Sequence, residues 1–118
     1  MQPMAATILL PILSGSDTDS PDDLCKMRID LLEEAANVVE TVVDGNTVQP
    51  AIERLESVAA KLQPVRERLR ELPDPTDRAR AELAERSAQI VRRLNAQART
   101  IRSFPDLQKA VEGTLRAS

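Results

Sequence analysis

The sequence predicts an all-α fold, and three observations favour it. Glycine occurs only three times in 118 residues, Phe104 is the only aromatic residue, and apolar residues recur at helical spacing. Long helices tolerate such a composition, whereas sheets favour aromatic and β-branched residues. We expect an antiparallel bundle of three long helices with a short C-terminal helix and a flexible N-terminal peptide. The expected helices are about 21–44, 47–72, 75–103 and 105–115.

The N-terminal segment differs in composition from the rest of the chain. We expect a flexible apolar peptide and acidic linker over residues 1–20, and a helical bundle domain over residues 21–118. The apolar run MAATILLPIL is about half the ~20 residues that a transmembrane helix needs. A secretory signal normally has a basic residue before its apolar run, and the first one here is Lys26. We therefore expect no transmembrane segment and a cytoplasmic protein; a secreted or envelope protein with an N-terminal signal is the alternative.

The first predicted helix begins at a recognisable cap. Ser20 is a capping hydroxyl, Pro21 occupies the first helical position, and Asp23 is an early acid. Gly45 is the expected C-terminal stop. Between them the apolar residues form two adjacent stripes, a face wide enough to contact two neighbouring helices. The stripes are Leu24, Leu31, Ala35, Val38, Val42 and Cys25, Ile29, Leu32, Ala36, Val39, Val43.

The second predicted helix has a seam of the coiled-coil type. Apolar residues occupy every a and d position of a heptad pattern: Val48, Ala51, Leu55, Val58, Leu62, Val65, Leu69 and Leu72. Pro64 lies on the outward side of this helix, and the seam continues in register beyond it. The pattern therefore predicts that Pro64 bends one helix and does not separate two.

The third predicted helix begins at Asp74-Pro75-Thr76-Asp77, where a capping residue again precedes proline. The short connection before it predicts that the second and third helices are antiparallel neighbours. Its apolar face is thin and is interrupted by Ser87, Asn95 and Gln97. These polar residues indicate either a half-solvated rim of the core or a groove that another helix completes.

The apolar pattern weakens from the middle of the third helix to the C-terminal helix. Pro105 interrupts the chain between these helices, and Gly113 weakens the last one. Residues on the apolar face of this region are our predicted contact surface for a partner. They are Leu94, Ile101, Phe104, Leu107 and Val111.

The sequence contains none of the usual catalytic or metal-binding patterns. Histidine is absent, and the glycines are isolated, so imidazole-based triads and glycine-rich phosphate loops are not expected. Cys25 continues an apolar stripe and is expected to be a buried packing residue. The carboxylate pairs Glu53/Glu56 and Glu82/Glu85 are expected on the solvent side. We predict a non-enzymatic protein with no catalytic, cofactor-binding or metal-binding residue.

Charge is distributed unevenly along the chain. Basic residues predominate in the second half, and after Glu85 the third predicted helix has five arginines and no acid: Arg86, Arg92, Arg93, Arg99 and Arg102. The net charge is only −3, and aromatic stacking platforms are absent, so nucleic-acid binding is not expected. We expect these arginines to be solvated or paired with the acidic first helix; contact with an acidic protein partner is the alternative.

Three segments resemble the small all-helical bacterial flagellar or type III export chaperones: LLEEAANVVETVVDGN (31–46), AIERLESVAAKL (51–62) and RRLNAQARTI (92–101). The resemblance implies that the protein holds a segment of a secreted subunit until export. We predict a non-enzymatic helical protein–protein interaction module with chaperone-like capture of an amphipathic helix of a secreted partner. The alternatives are a structural homo-oligomer assembled through coiled-coil-type seams and the secreted or envelope protein already considered.

Overall fold

The computed structural model describes residues 20–118, and helices account for about 86% of them, with no strand in this range. The predicted all-α class is therefore confirmed. The predicted N-terminal peptide, residues 1–19, lies outside the described residues. The helices are α1 (Pro21–Glu40), α2 (Val48–Arg70), α3 (Asp77–Ala96), α4 (Ala98–Ser103) and α5 (Pro105–Ala117), with a 3-10 turn at Gly45–Thr47.

Helix α1 starts where the sequence predicts and ends earlier. The Ser20 hydroxyl accepts a hydrogen bond from the Asp23 N–H at 3.1 Å, which satisfies one of the free amides of the first turn. At the other end the Thr41 hydroxyl donates to the Val38 carbonyl at 2.6 Å. The Asp44 carboxylate then accepts from the N–H groups of the following 3-10 turn. Short polar side chains compete with the helical ladder for backbone groups, so α1 stops at Glu40 and not near residue 44.

Helix α2 is continuous through Pro64, as the heptad pattern predicts. Five of the eight seam residues are buried: Ala51, Leu55, Val58, Leu62 and Val65. The other three, Val48, Leu69 and Leu72, are half-buried. Ile52, beside the seam, is also buried and adds to the same face. Pro64 itself is exposed, and so is Ala60, whose carbonyl loses its helical donor. Water can therefore satisfy this carbonyl, which makes the proline tolerable inside the helix.

Replacing Pro64 by alanine is expected to raise the free energy of unfolding by about 1 kcal/mol. Alanine restores the N–H and removes a ring that costs ~3 kcal/mol in an ordinary helix interior. It also increases the conformational entropy of the unfolded chain, which offsets part of this gain. Urea unfolding followed by circular dichroism measures the change. Lower stability in the Pro64→Ala variant would show that the proline itself is required for packing.

The third predicted helix is divided into α3 and α4. Thr76, and not Asp74, is the N-cap of α3: its hydroxyl accepts a hydrogen bond from the Ala79 N–H at 3.2 Å. The backbone leaves the α conformation at Gln97, whose N–H bonds to the Leu94 carbonyl three residues back at 3.0 Å. No proline or glycine marks this break, so the sequence does not announce it.

The helices are arranged around α1 and α2, which pack against each other. Helix α5 packs on α2 and touches α1, while α3 packs on α1 and has at most marginal contact with α2. The sequence predicted α2 and α3 as neighbours, but α5 takes that place against α2. Thr76 bonds to Asp22 near the start of α1 and Arg93 to Glu40 at its end, so α1 and α3 run in the same direction.

The core consists of the facing sides of α1 and α2 closed by α5. Helix α3 contributes one buried residue, Ile90, and is otherwise at the periphery. The described residues measure 56 × 37 × 19 Å, and the shortest dimension equals about two helix diameters. No helix among residues 20–118 has the length and apolar content that crossing a membrane requires.

Candidate protein-binding groove

A groove lies between α3 and α5, with α1 as its floor. It exists because both helices pack beside α1 without packing closely on each other. One part of the groove is lined almost entirely by apolar surface, and we call it the apolar half; its volume is about 200 Å³. Its lining residues are Leu32 on α1, Ser87, Ile90, Val91, Leu94 and Asn95 on α3, and Leu115 on α5.

Two apolar side chains stand on opposite walls of this half. Val91 is 54% exposed, and Leu115 is 47% exposed, whereas Leu32 below them is buried. No charged residue lines this half, and its exposed surface is almost entirely apolar. Contiguous apolar walls of this kind mark binding sites more often than isolated exposed apolar residues do.

A second, mixed half adjoins the apolar half toward the start of α3 and lies between α1, α3 and the end of α2. Ser87 belongs to both halves, and Cys25 forms part of the mixed half's floor. Leu72, just after the end of α2, and Leu83 of α3 both line this half. The α3 residues that line the two halves extend from Arg80 to Asn95. This span corresponds to about 22 Å of helix, or about four turns.

Polar contacts fasten α3 to α1 along its length. Arg86 Nη2 donates to Asp30 Oδ1 at 2.7 Å and to Glu33 Oε1 at 3.1 Å. Arg93 Nη2 donates to Glu40 Oε1 at 2.6 Å. Arginine pairs well with carboxylates because its N–H groups form a rigid fork. For Arg86 and Arg93, these ion pairs agree with the expectation that the arginines of the third helix are solvated or paired with the acidic first helix.

Three further hydrogen bonds join α3 to α1. The Thr76 N–H donates to Asp22 Oδ1 at 3.0 Å, and the Thr76 hydroxyl donates to Asp22 Oδ2 at 2.9 Å. Arg93 also donates to the side-chain oxygen of Asn37. The hydrogen bond from Arg93 lowers the pKa of Glu40 below its usual value. Ile90 is the only buried residue of α3, and these polar contacts add to its packing and to that of the partly buried Leu83 and Leu94 in holding this wall of the groove in place.

The structure places the five predicted contact residues in different environments. Leu94 lines the apolar half, and Val111 lies at its base, where it is mostly buried. Ile101 and Phe104 are partly buried and pack against the core. Leu107 is 0% exposed, so it belongs to the core and is not a free surface residue. The burial of Leu107 follows from the packing of α5 on α2, which the sequence pattern did not predict.

Val91 and Leu115 were not among the predicted contact residues. Both continue apolar stripes, and such residues are normally buried. Only the separation of α3 from α5 leaves them exposed, and no local sequence signal indicates that separation. The polar interruptions Ser87 and Asn95 were the available signal, since both line the groove. Gln97 instead forms the junction between α3 and α4.

The cysteine and the carboxylate pairs that the sequence singled out lie where packing and solvation explain them. Cys25 is buried, and desolvation raises the pKa of its thiol, which keeps it protonated at neutral pH. Glu53, Glu56, Glu82 and Glu85 are exposed, as predicted. Within residues 20–118 no three acidic or cysteine side chains are grouped as a metal site would require.

Comparisons with protein-family models, with curated proteins and with solved structures gave no significant match.

Proposed function

We propose that this protein is a non-enzymatic interaction module that binds an amphipathic helix of a protein partner in the groove between α3 and α5. The observation that supports this function is the exposure of Val91 and Leu115 on opposite walls above the buried Leu32. In the version that the resemblance to flagellar export chaperones implies, the bound helix belongs to a secreted protein.

The dimensions and chemistry of the groove suit such a ligand. A helix of about four turns matches the span from Arg80 to Asn95, and it offers apolar anchors at spacings of three and four residues. The apolar half would receive those anchors. In the mixed half, Arg28, Asp74 and Arg80 offer charged groups to polar residues at the other end of the ligand.

The alternative homo-oligomer has less apolar surface to use. Most of the α2 seam is buried within the chain against α1 and α5. A second copy would therefore need the groove, and self-association would compete with a partner for Val91 and Leu115. Light scattering over a concentration series distinguishes the two functions, because a monomer at tens of micromolar leaves the groove available.

We expect the double substitution Val91→Asp and Leu115→Asp to abolish partner binding. Each aspartate puts a charge into an apolar contact worth about 1.5 kcal/mol or more, so retention of the partner should fall at least about tenfold. The measurement is retention of proteins from the native host on immobilised wild-type and variant chains, with quantitative mass spectrometry.

Gln89→Asp is the matched control. Gln89 is exposed and lines the cleft on the other side of α3, among charged residues such as Lys26 and Glu82. This variant introduces the same side chain on the same helix and should retain the partner. The proposal fails if no host protein is retained less by the double variant than by Gln89→Asp. It also fails if circular dichroism shows that the double variant is unfolded.

A further inference from the structure

We propose that the helix bound in the groove carries acidic residues toward its α4 end, where they pair with three arginines of this protein. We call these the free arginines: Arg92, Arg99 and Arg102. The inference rests on the proposed function, because it specifies the charge of the same partner. It excludes partners whose bound helix is basic at this end.

The free arginines are the part of a basic segment that the fold leaves unpaired. Residues 86–105 contain five arginines and no acid. Arg86 and Arg93 donate to carboxylates of α1, so their charge is compensated within the chain. The free arginines are exposed, and their guanidinium groups form no hydrogen bond or ion pair with another residue in the range 20–118. A ligand at this surface therefore meets positive charge that the described chain does not neutralise.

Helical spacing places the free arginines along the α3 side of the groove. Arg92 directly follows Val91, which is 54% exposed on that wall. Asn95 also lines the apolar half, and Arg99 and Arg102 come four and seven residues after it. Residues at such spacings share one side of a helix.

Helix α4 sets the end of the groove at which Arg99 and Arg102 lie. It contacts both α3 and α5, the two helices that form the walls. Helical winding resumes directly after the break, since the Ile101 N–H donates to the Gln97 carbonyl at 2.9 Å. The α3 wall therefore continues into α4, with two of the free arginines beyond the apolar half.

The α5 wall adds no net charge to the groove. Glu112, which is hydrogen-bonded to Gln108, and Arg116 are both exposed on this helix. Asp106 is the first acid after the free arginines, but it lines the cleft between α2 and α5 together with Lys109. The two acids and two bases of α5 therefore cancel.

The mixed half also has a balanced charge. Its charged lining residues are Arg28, Asp74 and Arg80, and Arg80 Nη2 donates to Asp77 Oδ1 at 2.8 Å. Two basic and two acidic side chains therefore meet there. Beyond the end of α1, the Asp44 carboxylate accepts from backbone N–H groups of the 3-10 turn. The excess of positive charge around the groove is thus confined to its α4 end.

Carboxylates on the bound helix can use these guanidinium groups. Each guanidinium presents a rigid fork of N–H donors that matches a carboxylate. One exposed ion pair strengthens binding by a factor of up to about five, and three pairs together are expected to give about tenfold. A basic residue at the same place in the ligand would be repelled, so the free arginines select partners as well as strengthen binding.

A displayed library of helical peptides tests the inference on the full-length chain. Every peptide has about four helical turns and leucine anchors at spacings of three and four residues. The positions on the polar side are randomised among acidic, basic and neutral residues at equal frequency. In the peptides that the wild-type protein selects, we expect acidic residues to outnumber basic ones at least about tenfold at one end.

The affinity of one selected peptide for variants of the protein is then measured by fluorescence anisotropy. The triple variant Arg92→Gln/Arg99→Gln/Arg102→Gln should bind it about tenfold more weakly at about 50 mM salt. The loss should shrink at about 500 mM salt, because screening weakens exposed pairs. All three substitutions are at exposed positions, so circular dichroism should not change.

A matched control removes the same amount of charge elsewhere, in Arg54→Gln/Lys61→Gln/Arg78→Gln. These three residues are exposed, form no ion pair within residues 20–118 and line neither half of the groove. The affinity should change less than about twofold, because charges that do not contact the ligand are screened.

The variant Val91→Asp/Leu115→Asp separates failure of the inference from failure of the proposed function. Peptides that lose binding to this variant but show no preference for acids overturn the inference and leave the proposed function intact. Peptides that bind it as well as wild type, or a selection that yields no binder, overturn both. An affinity that is unchanged in the triple variant of the free arginines also overturns the inference, because other groups would then supply the preference for acids.

Discussion

Replacing Leu107 by alanine is expected to lower the free energy of unfolding by about 2–5 kcal/mol. Leu107 is 0% exposed and belongs to the cluster formed by α1, α2 and α5. The substitution removes buried methyl groups and leaves a cavity that the surrounding helices fill only in part. In a domain of this size each 1 kcal/mol corresponds to about 4–8 °C in the melting temperature. Thermal and urea unfolding followed by circular dichroism measure the loss.

Leu115→Ala is the matched control for this prediction. It makes the same chemical change on the same helix, but Leu115 is 47% exposed on the wall of the groove. We expect a loss of less than about 1 kcal/mol, in line with substitutions at partly exposed positions. If the two variants lose equal stability, Leu107 and Leu115 do not differ in the way that core and groove residues should.

Arg93→Glu is expected to loosen α3 while the rest of the protein stays folded. The substitution removes the hydrogen bonds to Glu40 and Asn37 and places a carboxylate opposite Glu40. Since Arg93 and Glu40 are each about one-third exposed, we expect a cost of about 1–2 kcal/mol, which is a factor of about 5–30 in the population of open α3. Hydrogen exchange should speed up by this factor in Asp77–Ala96 and change little in α1 and α2.

The charge-swapped double variant, Arg93→Glu with Glu40→Arg, separates electrostatics from packing. It restores an opposite-charge pair at the same place and should recover most of the protection of α3. High salt should reduce the difference between wild type and Arg93→Glu, because screening weakens exposed pairs. If the double variant exchanges as fast as the single one, the pair does not hold α3.

The same pair makes the attachment of α3 sensitive to acid. The pKa of Glu40 is lowered in the folded protein, mainly by the hydrogen bond from Arg93. A lowered pKa means that the stabilisation is fully present above the usual glutamate value of 4.5 and is lost as the pH falls through the lower folded value. Between pH 7 and pH 5, exchange in α3, corrected for the intrinsic rate, should therefore stay constant.

Sequence patterns predicted the helices better than their arrangement. The cap at Ser20 and the heptad seam through Pro64 are local signals, and the structure contains both features. The packing of α5 on α2 is not local, because it depends on which of two apolar faces covers the seam best. The C-terminal helix has four buried residues, whereas the longer α3 has one. That difference gives α5 the place beside α2 that the short α2–α3 connection predicted for α3.

The groove was only partly predictable for the same reason. The thin, polar-interrupted face of the third helix indicated an incomplete apolar contact, and Leu94, Ser87 and Asn95 do line the groove. Val91 and Leu115 are ordinary members of apolar stripes in the sequence. Their exposure results from the distance between two helices, which depends on the packing of all five.

The position of α5 has a consequence for protein synthesis. Thr114 donates a hydrogen bond to the Leu55 carbonyl at 3.3 Å, a contact across 59 residues, and α5 supplies the last layer over α2. On the ribosome, α1 and α2 can pair as soon as both have emerged, since a short turn joins them. The second face of α2 stays uncovered until about fifty more residues have been added. Chains at this stage expose apolar surface that favours aggregation, so a slow step in translating α3 would prolong the most vulnerable stage of folding.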